Sequence, residues 1–265
     1  MTQTAFDFGQ NWKDFSERAL TQERFQQARR DFAELMKGIE LKDRSFLDIG
    51  FGQGLTLLCA IESGARVHGL DINPKCREVF HYNRERLHSA DTGEVQVAVG
   101  SVLDPEPVQL VRSWQPEGYD VVHSWGVLHH TGEMWKAIDN ATSQVRPGGH
   151  FVLAIYNRHW SSAPWLAIKR FYVAMPKPVQ KLMNWSFVPV IYLAKLVTTR
   201  RNPLRMERGM EFYYNVVDWV GGYPYEYANR EEIESYLRPR GFTLDRFVPT
   251  IVPIGCNEFV FRKAS

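Results

Sequence analysis

Gly50, Gly52 and Gly54 fall within five residues of the stretch "SFLDIGFGQG". Glycine loses more backbone freedom on folding than any other residue. Three so close together mark a place where a ligand comes near the main chain. Asp48 stands two residues before the first glycine, and Asp71 closes the next apolar run, "ARVHGLDI". A dinucleotide-binding loop spaces its glycines G-x-G-x-x-G. Here the spacing is G-x-G-x-G, one residue shorter. An acid at Asp48 would oppose a pyrophosphate and favour a cation. A carboxylate at Asp71 could accept hydrogen bonds from both hydroxyls of a ribose. The pair therefore points to an adenosine ligand that carries positive charge. The structural alternatives are a turn-capping Asp48 and an Asp71 that serves the Asn73-Pro74 turn.

Further along, "SWGVLHHTGEMW" places His129 and His130 side by side, so that they point differently. One of them could act as a general base with a pKa near the working pH. The alternative is that one caps the following helix and the other packs. The run "DWVGGYPYEY" combines a Gly-Gly pair with closely spaced tyrosines. Tyrosines form rigid walls and also donate hydrogen bonds. Tyr225 of this run joins the two histidines as a candidate catalytic group.

These residues need elements to position them. Residues 11–37 carry apolar residues at roughly helical spacing, which predicts one helix. "SFLDI" reads as a buried strand, "LTLLCAIESG" as a helix and "ARVHGLDI" as a second strand. Asn73-Pro74 starts a helix, with Asn as cap and Pro in the first turn, running to about Ser89. "DTGE" turns into a third strand, "VQVAVG". "YDVVHSW" and "HFVLAIYN" are further strands, separated by the helical "EMWKAIDNATSQV" and "RPGG". Asn229 and Glu232 form a capping box for a helix to about Leu237, followed by the strands "FTLDRFV" and "CNEFVFR". Alternating strands and helices predict a mostly parallel sheet covered on both faces. Segment 157–226 interrupts that alternation and reads as helical at 163–175 and 178–198.

In this order, the motifs resemble the class I S-adenosylmethionine-dependent methyltransferases. "LDIGFGQG" is similar to their first motif, "GLDIN" to the second and "GSVLD" to the third. "YDVVHSWGVLHH" and "VRPGGHFVLAIYN" are similar to the segments around their fourth and fifth strands. The overall pattern is nearest the branch that includes the ubiquinone-biosynthesis O-methyltransferases. The resemblance implies a Rossmann-like α/β fold with a seven-stranded, mostly parallel sheet whose last strand is antiparallel. It also implies S-adenosylmethionine as cofactor, S-adenosylhomocysteine as product, and methyl transfer to an O, N or S atom of a small molecule. Gly50, Phe51 and Gly52 would cradle the methionine part through their backbone, and Asp48 would approach its ammonium. Asp71 would hold the ribose, Ile72 would pack on the adenine, and Val102 would pack on the base or donate its N–H to it. Relatives often have an aspartate where this chain has Ser101, so Ser101 or Asp104 would take the adenine amino group. Trp125 and Gly126 would line the cofactor near the methyl donor. The N-terminal helix would be a lid with Phe8 and Trp12 as walls, unless it is an ordinary amphipathic helix. Ile72 could equally be plain core.

The chain of 265 residues has a net charge of +2, which gives no global reason for a nucleic-acid partner. Three scattered cysteines without a C-x-x-C pair or zinc spacing suggest no metal and a reduced, cytoplasmic setting. No signal peptide is read at the N-terminus. One domain is expected: a lid at 1–40, a cofactor-binding core at 41–157, a cap at 158–227, and a closing helix and strand pair at 228–265. The cap would form an aromatic acceptor pocket from Tyr156, Trp160, Trp165, Phe171, Tyr172, Tyr213, Tyr214, Trp219, Tyr223, Tyr225 and Tyr227. Asp218 and Glu226 are either ligands for a cationic acceptor or structural. Residues 160–210 hold nine Lys/Arg and one acid. That patch is read as solvated in preference to nucleic-acid binding, because the signature of base-amino methylation is missing after the fourth strand. The longest uncharged stretch there, Leu182 to Ala194, is 13 residues. It is too short to span a bilayer but compatible with an interfacial helix and a lipid-like acceptor. A cofactor-binding protein without transfer activity is the other alternative. A monomer or a homodimer is expected.

Overall fold

A computed structural model describes residues 8–87, 95–200, 202 and 212–265. Seven strands form one sheet: β1 (Ser45–Ile49), β2 (Arg66–Asp71), β3 (Gln96–Val99), β4 (Tyr119–Trp125), β5 (Val145–Tyr156), β6 (Phe242–Val248) and β7 (Cys256–Lys263). Their order is β3-β2-β1-β4-β5-β7-β6. The first five run parallel, and β7 is antiparallel to both neighbours. Both the fold class and the antiparallel last strand follow the sequence expectation.

Alternation along β1 sorts its residues to two cores. Phe46 joins one cluster with Val121, Val152 and Val260, covered by α2 (Gln22–Leu35), α3 (Leu55–Glu62) and α4 (Pro74–Leu87). Leu47 and Ile49 join the other, covered by α5 (Pro105–Trp114), α6 (Met134–Ser143) and α10 (Arg230–Leu237). The helix after β1 lies on one face and the helix after β4 on the other. The loops leaving these adjacent strands therefore diverge, which opens a crevice at their carboxyl ends.

Two local differences from the sequence reading stand out. The expected helix over 11–37 is two helices, α1 (Phe8–Arg18) and α2. Thr21 breaks it by accepting the Arg24 N–H at 3.3 Å as the cap of α2. Helix α5 was not read from the sequence, although Asp104-Pro105 places a cap residue before a first-turn proline. The expected "DTGE" turn lies outside the described residues. The cap holds α7 (Ser162–Ala174), α8 (Lys177–Thr199) and α9 (Phe212–Gly221). Tyr172, Val216 and Val220 form its own small core. The chain leaves the sheet after Asn157 and rejoins it at Ala228, where the two residues form a parallel bridge.

Candidate functional site

The three loop glycines all have left-handed backbones, with φ of 77°, 54° and 78° at Gly50, Gly52 and Gly54. A side chain is disfavoured at each by φ, and at Gly50 and Gly54 by direct collision as well. A Cβ on Gly50 would collide with Val127, and one on Gly54 with Phe80. On Gly52 it would come within 3.0 Å of the Trp12 indole nitrogen. Helix α1 therefore lies directly over the loop. Gly9 abuts the Asn73 side chain, and buried Asn83 ties α1 to the loop by donating to Ser16 Oγ at 3.0 Å and to the Gln53 carbonyl at 2.9 Å. Phe51 points away from the crevice and packs edge-on against Phe80, so its backbone alone belongs to the loop. The Phe8 side chain lies outside the described residues.

Asp48 is 2% exposed and faces His123, its register partner on β4. Their Nδ1–Oδ1 separation is 2.7 Å. A carboxylate can only accept, so the imidazole Nδ1 carries the proton. His123 also stacks on Phe46 with centroids 5.9 Å apart. Two residues on, Trp125 donates its indole N–H to Glu258 at 2.7 Å. Gly126 follows with φ 74° and open space where a Cβ would stand.

At the end of β2, Asp71 accepts the Gly52 N–H and the Asn73 N–H, each at 2.9 Å. It thus binds the glycine loop to the next turn. Burial, at 8% exposure, pushes its carboxyl above the usual range, against the pull of these hydrogen bonds. Ile72 is 69% exposed, an apolar side chain standing uncovered at the rim, and so is not part of the core. Ser101 accepts the Leu103 N–H at 3.0 Å. Val102 is buried in the core, with its carbonyl bonded to Asn140.

The histidines lie deeper than the sequence suggested. His129 is 0% exposed, and its Nδ1 accepts the Tyr156 N–H at 3.3 Å. That fixes the Nε2–H tautomer, and among the described residues this buried N–H has no partner. His130 Nδ1 donates to the Pro224 carbonyl at 2.6 Å. Burial pushes His129 well below the usual imidazole range and His130 down to about 3. Each is a neutral imidazole with little appetite for a proton, not one poised near neutrality.

Both imidazoles surround the Tyr156 ring, at 4.1 and 5.5 Å between centroids. Tyr225 lies 5.0 Å and Trp219 5.5 Å from the same ring. Lys169, fully buried, reaches into this group, with Nζ 4.8 Å from the Tyr225 centroid, 5.4 Å from Trp219 and 5.7 Å from Tyr156. Its Nζ also donates to the Trp219 carbonyl. Burial pushes Tyr225 up to about 12 and Lys169 down to about 7.

A family profile described as "Methyltransferase domain" matches residues 20–245. The chain belongs to this methyltransferase-domain family. It is 30% identical over 119 residues to a ubiquinone biosynthesis O-methyltransferase of Vibrio atlanticus, covering 45% of this chain and 46% of the relative. It is 26% identical over 175 residues to the protein of that name from Serratia proteamaculans, covering 66% and 68%. The chain spans about half the length of the first of these curated relatives. Among solved structures, it superposes on magnesium protoporphyrin IX methyltransferase from Synechocystis PCC 6803 with bound SAH at a TM-score of 0.53 and 16% identity, covering 91% and 83%. An O-methyltransferase family protein from Burkholderia thailandensis gives 0.55 and 13%, covering 96% and 60%. At these identities the likeness is one of fold.

Within this methyltransferase-domain chain, Asp48, Gly50, Gly52, Asp71, Ile72, Trp125, Gly126 and Trp12 gather around the β1–β4 crevice. His129, His130 and Tyr225 form a second group around Tyr156. The expected aromatic pocket is divided. Trp160 and Phe171 are exposed, and Tyr172 is buried in the cap core with its hydroxyl accepting from Asn184 at 3.1 Å. Glu226 is structural: its carboxylate accepts the Met134 N–H at the start of α6. Sequence reasoning missed His123 and Lys169. His123 sat in a segment read simply as a strand, and its pairing with Asp48 depends on β1–β4 register, which only the structure supplies. Lys169 was counted in the basic patch, and its helix gives no local sign that its head turns inward.

Proposed function

We propose that this chain binds S-adenosylmethionine at the carboxyl edge of β1, β2 and β4 and transfers its methyl group to an O, N or S atom of a small molecule. The observation that carries this reading is the pair of buried carboxylates, Asp48 and Asp71, on either side of a left-handed glycine loop. An acid at Asp48 suits a cationic ligand and disfavours a pyrophosphate. Asp71 has acceptor capacity beyond its two backbone bonds, since each carboxylate oxygen has two lone pairs, and ribose hydroxyls can use it. Ile72 offers an uncovered apolar surface to the adenine, and Gly126 leaves space for the cofactor near the methyl donor. When bound, the cofactor supplies an electrophilic methyl group on a sulfonium. The protein's own part is orientation and exclusion of water, for which α1 and Trp12 lie over the loop as a lid. Ser101, Val102 and Asp104 remain the candidates for the adenine edge, and His129, His130 and Tyr225 the candidates for contact with the acceptor. The relatives' name suggests an oxygen acceptor. Calorimetric titration tests the cofactor reading: binding of S-adenosylhomocysteine without binding of NADH is expected. NADH binding alone would refute it. Release of S-adenosylhomocysteine in an acceptor screen tests transfer and separates it from the non-catalytic alternative.

A second reading concerns where the acceptor comes from. No helix of the described residues is long and apolar enough to cross a membrane. However, α8 exposes Leu182, Trp185, Val190, Leu193 and Val197 along one side, with Lys181 and Lys195 nearby. That face suits peripheral contact with an anionic membrane and a lipid-like acceptor. Co-sedimentation with phosphatidylglycerol vesicles, lost in Trp185→Asp/Leu193→Asp, would support it.

A further inference from the structure

The cluster around Tyr156 holds two groups that the proposed cofactor site does not use. One is the His129 Nε2–H, a buried donor without a partner among the described residues. The other is the Lys169 head, which makes no ion pair there and is satisfied by three ring faces and one carbonyl. A buried donor left without an acceptor costs free energy, and so does holding a lysine head in its charged form inside an aromatic cage. Both deficits lie beside one aromatic ring, just beyond Trp125 and Gly126 in the chain.

We propose that Lys169 takes the proton of the acceptor's nucleophilic hydroxyl and, with the His129 Nε2–H, holds the resulting oxyanion against the Tyr156 ring. This rests on the methyltransferase reading given above. The step is balanced: the acceptor O–H bond breaks, an N–H bond forms at Lys169 Nζ, and a neutral amine and a neutral hydroxyl become an ammonium–oxyanion pair. No net charge enters the cage. Burial supplies the neutral amine, since it pushes Lys169 down to about 7 while Asp218 and Cys256 work the other way. The groups facing it are His129 and His130 from the turn after β4, Tyr156 from β5, Cys256 from β7, Asp218 and Trp219 from α9, and Tyr225. The histidines are held neutral and the phenols protonated by the same burial, so the proton has one strong destination. An amine of that basicity matches an acidified hydroxyl, such as an electron-poor phenol or an acidic enol, and not an aliphatic alcohol. The caged lysine thereby selects the acceptor by acidity, and the aromatic walls select a flat one.

The test uses para-nitrophenol as probe, whose phenolate absorbs where the phenol does not. It is titrated against the full chain at a pH below its own pKa, with and without S-adenosylhomocysteine. Wild type is expected to bind it as the yellow phenolate. Lys169→Met should weaken that capture about tenfold or more while leaving the calorimetric affinity for S-adenosylhomocysteine unchanged. Should the methionine variant fail to fold, His129→Asn, which removes the Nε2–H, should weaken capture severalfold. Binding of the neutral phenol, no binding by wild type, or full phenolate capture by folded Lys169→Met overturns the proposal. Failure to bind S-adenosylhomocysteine instead refutes the cofactor reading, and the phenolate titration without it still decides the role of Lys169.

Discussion

His123 and Asp48 face each other across β1 and β4, with the imidazole N–H directed at the carboxylate 2.7 Å away. Register pairing places them on the same face of the sheet, so neither needs a loop to find the other. The pair fixes the direction of the acid that we assign to the cofactor ammonium. Removing one partner leaves an uncompensated buried polar group. His123→Ala is therefore expected to cost about 3 kcal/mol in urea unfolding. The double variant Asp48→Ala/His123→Ala should cost clearly less than the two single changes added. Additive losses would show that the two side chains are not coupled.

Asp71 serves the loop and, in our reading, the ribose. Asp71→Asn is expected to weaken S-adenosylhomocysteine binding by roughly 1–3 kcal/mol in calorimetry. The wild-type affinity should also fall as pH drops through the Asp71 carboxyl, because the protonated form accepts fewer hydrogen bonds. Burial raises that pKa, so the loss begins above the usual carboxylate range. An unchanged dissociation constant in the variant would remove the ribose assignment.

Trp12 stands over Gly52, where our reading places the cofactor. Trp12→Ala is expected to raise the dissociation rate of S-adenosylhomocysteine about tenfold in stopped-flow fluorescence, with a smaller change in association, as is usual for contact loss. Equal rates in both proteins would mean that α1 does not cover the ligand.

Lys169 gives a stability signature independent of any ligand. Its folded pKa, about 7, is lower than its ordinary value of 10.5. The unfolded chain thus binds more protons between those values, and stability rises with pH across that window. The lysine's penalty is full below about pH 7 and absent above 10.5. Lys169→Met should accordingly gain in Tm relative to wild type at pH 7, and the gain should shrink toward pH 10. A difference that does not vary with pH would place the amine in a wetter environment.

The sheet and the crevice that we assign to the cofactor were legible because their signals are local. Left-handed glycines, a cap before Pro74 and an acid at a strand end act within a few residues of themselves. Period-2 alternation carries the rest of the sheet. Thr21 and Asp104-Pro105 show the limit: both are plain caps, yet the apolar spacing across residues 11–37 outweighed the first, and an irregular apolar pattern hid the second. The acceptor side was less legible for a different reason. The burial of Lys169 depends on Trp219 and Tyr225, fifty residues later in the chain, and nothing in "LAIKRFY" distinguishes an inward lysine from the solvated ones around it. Trp160 and Phe171 erred in the opposite sense, as aromatic residues that composition counted toward a pocket and packing left outside.

Helix α1 touches more than the glycine loop. Phe15 meets Tyr214 of α9 edge-on at 5.6 Å, while Gly9 and Trp12 sit on the turns that would hold the nucleoside. One helix therefore leans on the glycine loop and on α9 of the cap at once. In our reading, any displacement of α1 from the nucleoside loop therefore also strips a ring contact from α9, so the lid and the cap are held by one helix.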